Sequence, residues 1–486
     1  MPTNIVFVTC DQLRRDTLGC YGDPIVQTPH IDALAEGGVR FTQTYTAYPV
    51  CGPNRGSLVT GRYPTVHGLT HNGVILPQRE MTMMEALRRR GYATYGVGKM
   101  HFGPQWRFPP DGGPLVDPTP DLAVNPQPEV WELPWYGFER ILITEDHKVG
   151  PYEDYLNAHG YSIWDDPHSF SYPQHQCVRS AYPVEHHQTT WIGDRAVEFL
   201  EQHPPEQPFF LWASFVHPHH PFTPPAPYDT MYDPADMSAP RWLAGEAESW
   251  PKAYRRKHYA RRQDVLGGHE DIGMDAIADD EWRRVRAFYY GMITLIDVQV
   301  GRLVETLRRQ GMLEETVIVF TSDHGEMLGD HHLVFKGTTF DEVTGVPLIV
   351  TRPGEAQAGA QRDLLTNSID IMPTILDAVG VPIPAGVQGV SLLPALDDAT
   401  LTVRDATLIE NAGVRRSVRT HDALLTWHGY GQLGELYDLR RDPHCHVNLW
   451  ADPVLSTAAL KAQMLDRLIA LMAENVDPLP PRVGAC

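Results

Sequence analysis

The sequence predicts an α/β protein. A large mixed, mostly parallel sheet flanked by helices is expected over residues 1–385, and a smaller C-terminal α+β unit, an antiparallel sheet with one helix, over 386–486. Three observations predict it. Short, wholly apolar runs of strand length recur along the chain, as in strands buried on both faces of a parallel sheet. Amphipathic helical stretches alternate with them, the texture of βαβ units. After about Gly386 the elements become shorter and end in one long helix.

The first strand is expected over Ile5 to Cys10, and it ends in Asp11-Gln12. Thr28 to Ala35 reads as a helix with Pro29 at its start, where proline's missing N–H costs little. Val39 to Tyr45 is a second strand, and it delivers the chain to Cys51-Gly52-Pro53-Asn54-Arg55. Asn54 to Thr60 reads as a short helix stopped by Gly61, so Cys51 lies at or just before a helix N-terminus. That place offers free N–H donors and a partial positive charge. Taken alone, Cys51 reads as a buried thiol beside a turn.

Met83 to Arg90 is a helix, and Tyr92 to Val97 a third strand that ends in Gly98-Lys99-Met100-His101. From about 104 to 182 the pattern breaks down into an irregular insertion. Trp131, Trp135, Tyr136 and Phe138 in it either line a substrate pocket or pack the insertion down. Trp191 to Gln202 is an amphipathic helix, and Pro208 to Val216 a fourth strand, followed by His217-Pro218-His219-His220-Pro221. Residues 237–283 read as a polar excursion, and Trp282 to Arg309 as a long helix. Thr316 to Thr321 is a fifth strand, running into Ser322-Asp323-His324-Gly325-Glu326 and on to Lys336. Val346 to Thr351 is a short strand and Ile369 to Val379 a helix. The C-terminal strands are Ala406 to Glu410, Arg415 to Thr420, Ala423 to Thr426 and Glu435 to Asp438, and the last helix is Leu455 to Glu474.

At 486 residues the chain is long enough for a large core. Its formal charge of −21 argues against nucleic acid and anionic membrane as partners. An anionic substrate would need a local basic pocket. No apolar run approaches the roughly 20 residues that span a bilayer. The N-terminus shows no basic stretch followed by an apolar one, so a cytoplasmic protein is expected. The six cysteines are scattered, with no CxxC pair, and fit neither a disulfide framework nor a structural zinc site.

Polar chemistry thus gathers at strand ends, where open α/β sheets bind ligands. If the first and fifth strands are neighbours, Asp11, Gln12, Asp323 and His324 can surround one divalent cation. Mostly oxygen donors favour Ca²⁺, with Mg²⁺ or Mn²⁺ as alternatives. Arg55, Lys99 and Lys336 supply fixed cations, and His101 and His219 supply acids or bases. A metal with fixed cations equips a site to transfer a tetrahedral oxyanion. Residue 51 would be the nucleophile.

At this point the motifs resemble a known family. Cys51-x-Pro53-x-Arg55 followed by Thr60-Gly61-Arg62 resembles the signature of the type I sulfatases, in the alkaline phosphatase superfamily. Gly98-Lys99-x-His101, His219 after Pro218, Ser322-Asp323-His324-Gly325, Lys336 and Glu435-Leu436-Tyr437-Asp438-Leu439…Asp442-Pro443 are similar to its further motifs, in the same order. The resemblance implies that a formylglycine-generating enzyme oxidises Cys51 to formylglycine. One hydroxyl of the hydrated aldehyde would attack sulfur and expel the alcohol. Deprotonation of the other would then release sulfate. It further implies that Asp11, Gln12, Asp323, His324 and residue 51 bind the metal, and that Arg55 steadies the hydrate. Lys99 and Lys336 would hold sulfate oxygens, with Asn72 as a further contact. His219 would protonate the leaving group and His101 would assist collapse of the hydrate.

One departure bears on substrate. Many sulfatases carry a second Asp where this chain has Gln12, and phosphonate monoester hydrolases of the superfamily carry Asp-Gln there. The expected activity is hydrolysis of a small-molecule sulfate ester. The alternative is a phosphonate monoester or phosphodiester hydrolase using the same centre. A third reading is a metal-binding protein in which Cys51 stays a thiol. The spacing of the aromatics does not choose among choline, aryl and sugar sulfates, and a homo-oligomer is compatible with the sequence.

Overall fold

A computed structural model describes residues 4–103, 133–166, 177–251, 254, 277–354, 357–413, 415–429 and 434–477. The Pro- and Gly-rich stretch before Leu133, Trp131 and much of the 237–283 excursion lie outside the described residues. Among the described residues, twelve strands form two sheets. The larger contains β1 (Asn4–Cys10), β2 (Val39–Tyr45), β3 (Ala93–Gly98), β4 (Arg140–Ile143), β5 (Phe209–Phe215), β6 (Thr316–Ser322), β7 (Leu348–Thr351) and β8 (Ala360–Asn367). Their order is β4-β3-β5-β1-β6-β7-β2-β8. All pairings are parallel except those of β7 with β6 and β2.

The apolar runs explain the burial. Side chains alternate across a strand, so Val6 and Val8 of β1 face one core while Ile5 and Phe7 face the other. Ile318 and Phe320 of β6 share the first core, and Val317 and Val319 the second. Helices Pro29–Gly37, Gln188–Gln202 and Asp279–Arg309 cover the first face. Helices Cys51–Thr60, Met83–Arg88 and Ile371–Ala378 cover the second.

Register places the site. Cys10 at the end of β1 pairs with Ser322 of β6 and with Phe215 of β5. Gly98 at the end of β3 pairs with Ser214. Asp11, Lys99, His217 and Asp323 therefore leave four adjacent strands at one level. The first and fifth expected strands are neighbours, as the metal reading requires.

Two strands were not expected. β4 lies inside the stretch read as irregular, because four residues at a sheet edge carry too little apolar pattern. β8 exposes Gln361 and Asp363 in its first half and becomes continuously buried only in its second, so it lacks a full apolar run. Tyr136 and Phe138 of the insertion pack inward. Tyr136 meets Phe102 at 5.2 Å between ring centroids, and Phe138 meets Trp212 at 6.2 Å. Packing is thus the role of Tyr136 and Phe138, which are both buried.

The smaller sheet is antiparallel, in the order β12 (Gly434–Asp438), β11 (Ala423–Trp427), β10 (Arg416–Arg419), β9 (Thr407–Glu410). Helix Leu455–Glu474 lays Met464 and Leu468 on Leu408, Val418, Leu425 and Leu436. The sheets are tied where Asn367, at the end of β8, donates to the Leu408 carbonyl (3.1 Å). Among the described residues no helix is long and apolar enough to cross a membrane.

Gly98 sets the closeness of β3 to β5. Its φ is +100°, and a Cβ there would stand 1.8 Å from the Ser214 carbonyl oxygen. Gly98→Ala is expected to cost about 3 kcal/mol of stability through backbone strain. Urea unfolding measures this, and an unchanged midpoint would contradict the tight pairing.

Candidate active site

The helix that carries residue 51 starts earlier than the sequence reading placed it. It spans Cys51–Thr60, with Val50 extended before it and all ten residues buried. Asn72 supplies the missing cap from a distance: its Oδ1 accepts from the Gly52 N–H at 3.0 Å. Gly61 ends the helix in the left-handed region (φ 63°) and donates to the Ser57 carbonyl. Asn54 holds the helix to the sheet by donating to the Asp323 carbonyl (2.6 Å) while its Oδ1 accepts from Ala47 N–H (3.0 Å).

Arg55 is fully buried one turn on. Its Nε donates to Asp323 Oδ2 at 2.8 Å and its Nη2 to Asp11 Oδ2 at 3.3 Å. Its Nη1 donates to the Lys99 carbonyl (2.5 Å) and to Ser214 Oγ (2.8 Å). One guanidinium thus binds groups from β1, β3, β5 and β6. Lys99 Nζ stands 2.9 Å from Asp11 Oδ2 and also pairs with Asp146. Burial alone would raise Asp11, but Lys99, Lys336, His219 and Arg55 outweigh it and hold the carboxyl well below the usual range. Burial, reinforced by the negative Asp11, pushes Asp323 up to about 7.

Three groups converge on Cys51 Sγ: Lys336 Nζ at 2.9 Å, His324 Nε2 at 3.1 Å and Asp11 Oδ1 at 3.6 Å. Burial, with Asp11 adding to it, pushes the thiol up to about 12. With no cation beside it, an unmodified Cys51 is therefore a protonated thiol and a weak nucleophile. Ligand atoms of Asp11, Cys51, Asp323 and His324 all lie within 4.8 Å of one another. Burial, then Lys336, keeps the His324 imidazole neutral, the form that ligates metals. Two crowded buried carboxylates with a neutral imidazole fit a divalent cation, whose charge would relieve their repulsion.

Gln12 stands beside this group, with φ 68°. Its backbone N–H donates to Asp323 Oδ1 at 3.1 Å, and its Oε1 accepts from Lys336 Nζ at 3.0 Å. Its Nε2 donates to Glu326 Oε2. Lys336 Nζ also meets His219 Nε2 at 2.7 Å, while His219 Nδ1 faces the His220 carbonyl. Burial, then Lys336, holds His219 neutral. His101 is buried with φ 54°, and its Nδ1 has no hydrogen-bond partner among the described residues. Its ring borders Gly52, where a Cβ would lie 3.6 Å from His101 Cδ2.

All the sequence-derived candidates thus fall in one region, with exposed Asn72 at its rim. Four residues were missed. Asp146 pairs with Lys99, and Glu145 accepts from the His101 N–H at 2.9 Å. Both follow β4, so the strand-end signal was present but hidden by that strand's shortness. Glu326, in the motif after β6, accepts from Gln12 Nε2. Ser214 lies inside an apolar strand and gives no signal.

Arg55→Ala is expected to cost about 3–5 kcal/mol, because it leaves two buried carboxylates without their shared cation. Arg55→Lys recovers only part of this, lacking the fork. Urea unfolding of both variants checks it, and equal stability of Arg55→Ala and wild type would contradict it.

The comparisons with known proteins agree with this geometry. The sulfatase family model matches residues 3–381, and the model for the C-terminal region of N-sulphoglucosamine sulphohydrolase matches 329–474. An arylsulfatase of Clostridium perfringens is 30% identical, over 92% of this chain and 90% of that one. A multifunctional alkaline phosphatase superfamily protein, PehA, of Trinickia caryophylli is 33% identical over 81% and 77%. The crystal structure of the phosphonate monoester hydrolase of Agrobacterium radiobacter superposes with a TM-score of 0.82 at 28% identity, covering 98% of this chain and 96% of that one. With its signature at Cys51 and a family match over most of its length, the chain belongs to the sulfatase family.

Proposed function

We propose that this protein hydrolyses sulfate monoesters with residue 51, matured to formylglycine by a formylglycine-generating enzyme, as its nucleophile. The observation that carries the proposal is the convergence of Lys336, His324 and Asp11 on one side-chain atom at a helix N-terminus. That atom is buried, and without a cation beside it burial and Asp11 push the thiol up to about 12.

Asp11, Gln12, Asp323 and His324 would hold one divalent cation, Ca²⁺ before Mg²⁺ or Mn²⁺ because the donors are mostly oxygen. The cation supplies Lewis acidity to the nucleophilic oxygen and to the substrate's oxyanion. The modified residue supplies two hydroxyls on one carbon, so that one can attack and the other can drive release.

The remaining work falls to the chain's own groups. Arg55 fixes Asp11 and Asp323 at one spacing. Lys99 and Lys336 put two ammonium groups beside position 51, where they can hold the oxygens of a tetrahedral anion. These ammonium groups would give an anion local partners within a strongly acidic chain. The Lys336–His219 contact gives the leaving oxygen a proton source within one hydrogen bond. His101, whose ring borders Gly52, would take the proton of the second hydroxyl. Asn72 spends its Oδ1 on Gly52, which leaves its amide nitrogen for a sulfate oxygen.

Gln12 and the likeness to a phosphonate monoester hydrolase favour a second reading, in which the same centre cleaves phosphonate monoesters or phosphodiesters. Both substrate types carry one negative charge on a tetrahedral centre, so charge alone does not separate them. An aryl sulfate is expected to give the higher kcat/KM when compared with the matched aryl phosphonate monoester, and a clear preference for the phosphonate would replace the first reading with the second. Cys51→Ala is expected to reduce hydrolysis of both to background, with the unfolding midpoint kept near wild type. Activity surviving in that variant would move the nucleophile elsewhere.

A further inference from the structure

A second cluster of metal-ligating side chains lies apart from the catalytic centre. Glu246 sits on the turn Glu246–Ser249, His331 in the loop after β6, and His446 beyond β12. The three are distant in sequence, so no local turn brings them together. Nδ1 of His331 and Nδ1 of His446 each stand 2.9 Å from the same oxygen, Glu246 Oε2. One ligand atom from each residue lies within 4.8 Å of the others.

Hydrogen bonding accounts for this cluster incompletely. Glu246 Oε1 and His331 Nε2 are buried, and neither has a hydrogen-bond partner among the described residues. Glu246 and His331 are 6% and 0% exposed, so the spare carboxylate oxygen is shielded from solvent. Trp250, Leu333, Phe340 and Cys445 form an apolar cluster nearby. The His331 ring is fixed by stacking on Phe340, with centroids 4.3 Å apart and planes at 12°. Two imidazoles and one carboxylate in an apolar pocket are a donor set for a borderline cation such as Zn²⁺, with a position left for a fourth ligand.

We propose that Glu246, His331 and His446 form a second divalent-cation site, of the zinc class, that ties the loop after β6 to the C-terminal unit. The loop has a reason to be tied. His331, His332 and Phe335 all adopt left-handed backbone, at φ 57°, 50° and 63°. Non-glycine residues hold that conformation only where their surroundings enforce it. The next residue is Lys336, whose Nζ meets Cys51 Sγ. A cation on His331 would steady the loop five residues before this lysine. The softer donor set separates the site from the oxygen-rich one at Asp11 and Asp323.

The test uses the full-length protein, stripped with a chelator and titrated with Co²⁺ alone, beside His446→Ala. His446 is half-buried and stands outside the catalytic group. The variant is expected to bind one Co²⁺ fewer per chain than wild type, and Zn²⁺ is expected to raise the Tm of wild type more than that of the variant. Equal Co²⁺ stoichiometry in the two proteins overturns the proposal. If His446→Ala does not fold, X-ray absorption on Co²⁺-loaded wild type decides. More than one imidazole per ion supports the site, and one or fewer, as His324 alone would give, overturns it.

Discussion

The fork of Arg55 between Asp11 and Asp323 is the contact on which the rest of this site depends. Two carboxylates leave adjacent parallel strands, β1 and β6, at one level and deep in the protein. Without a cation they would repel each other in a medium that screens poorly. Arg55 reaches both, and its remaining donors take the Lys99 carbonyl and Ser214. The same side chain thus sets the spacing of the carboxylates and anchors the helix that begins with residue 51. Buried ion pairs of this kind add little net stability, but removing one partner is costly. Arg55 is best understood as fixing geometry.

Around that fork, charge is arranged unevenly. Lys336 meets Cys51 Sγ, Lys99 pairs with the neighbouring Asp11, and Asp11 and Asp146 hold Lys99 in its ammonium form against the cost of burial. The chain as a whole is strongly acidic. Two lysines project from strand and loop ends into one place, among the carboxylates that pair with them. The loop after β6 contributes at both ends, with Asp323 and His324 at its start and Lys336 at its finish. Its left-handed residues lie between, where Glu246 and His446 meet His331.

Much of this was legible in the sequence because both signals were local. Wholly apolar runs marked β1, β5 and β6, and polar residues directly after them marked Asp11, His219 and Asp323. Cys51-x-Pro53-x-Arg55 carried its own chemistry within five residues. What stayed hidden required contacts far apart in the chain. Asp146 follows a four-residue edge strand that has too few positions to show a pattern. Ser214 looks like any small residue in a buried strand until Arg55 reaches it. The grouping of Glu246 with His331 and His446 spans 200 residues from first to last, and no spacing rule joins them. The start of the Cys51 helix was misplaced because its cap, Asn72, comes from outside the helix.

The central claim is that residue 51 does not act as a cysteine. Mass spectrometry of the peptide containing residue 51, taken from catalytically active protein, tests it most directly. The peptide is expected at the lower mass of formylglycine, with the modified fraction rising in step with specific activity across preparations. Fully active protein whose peptide carries only an unmodified thiol would contradict it.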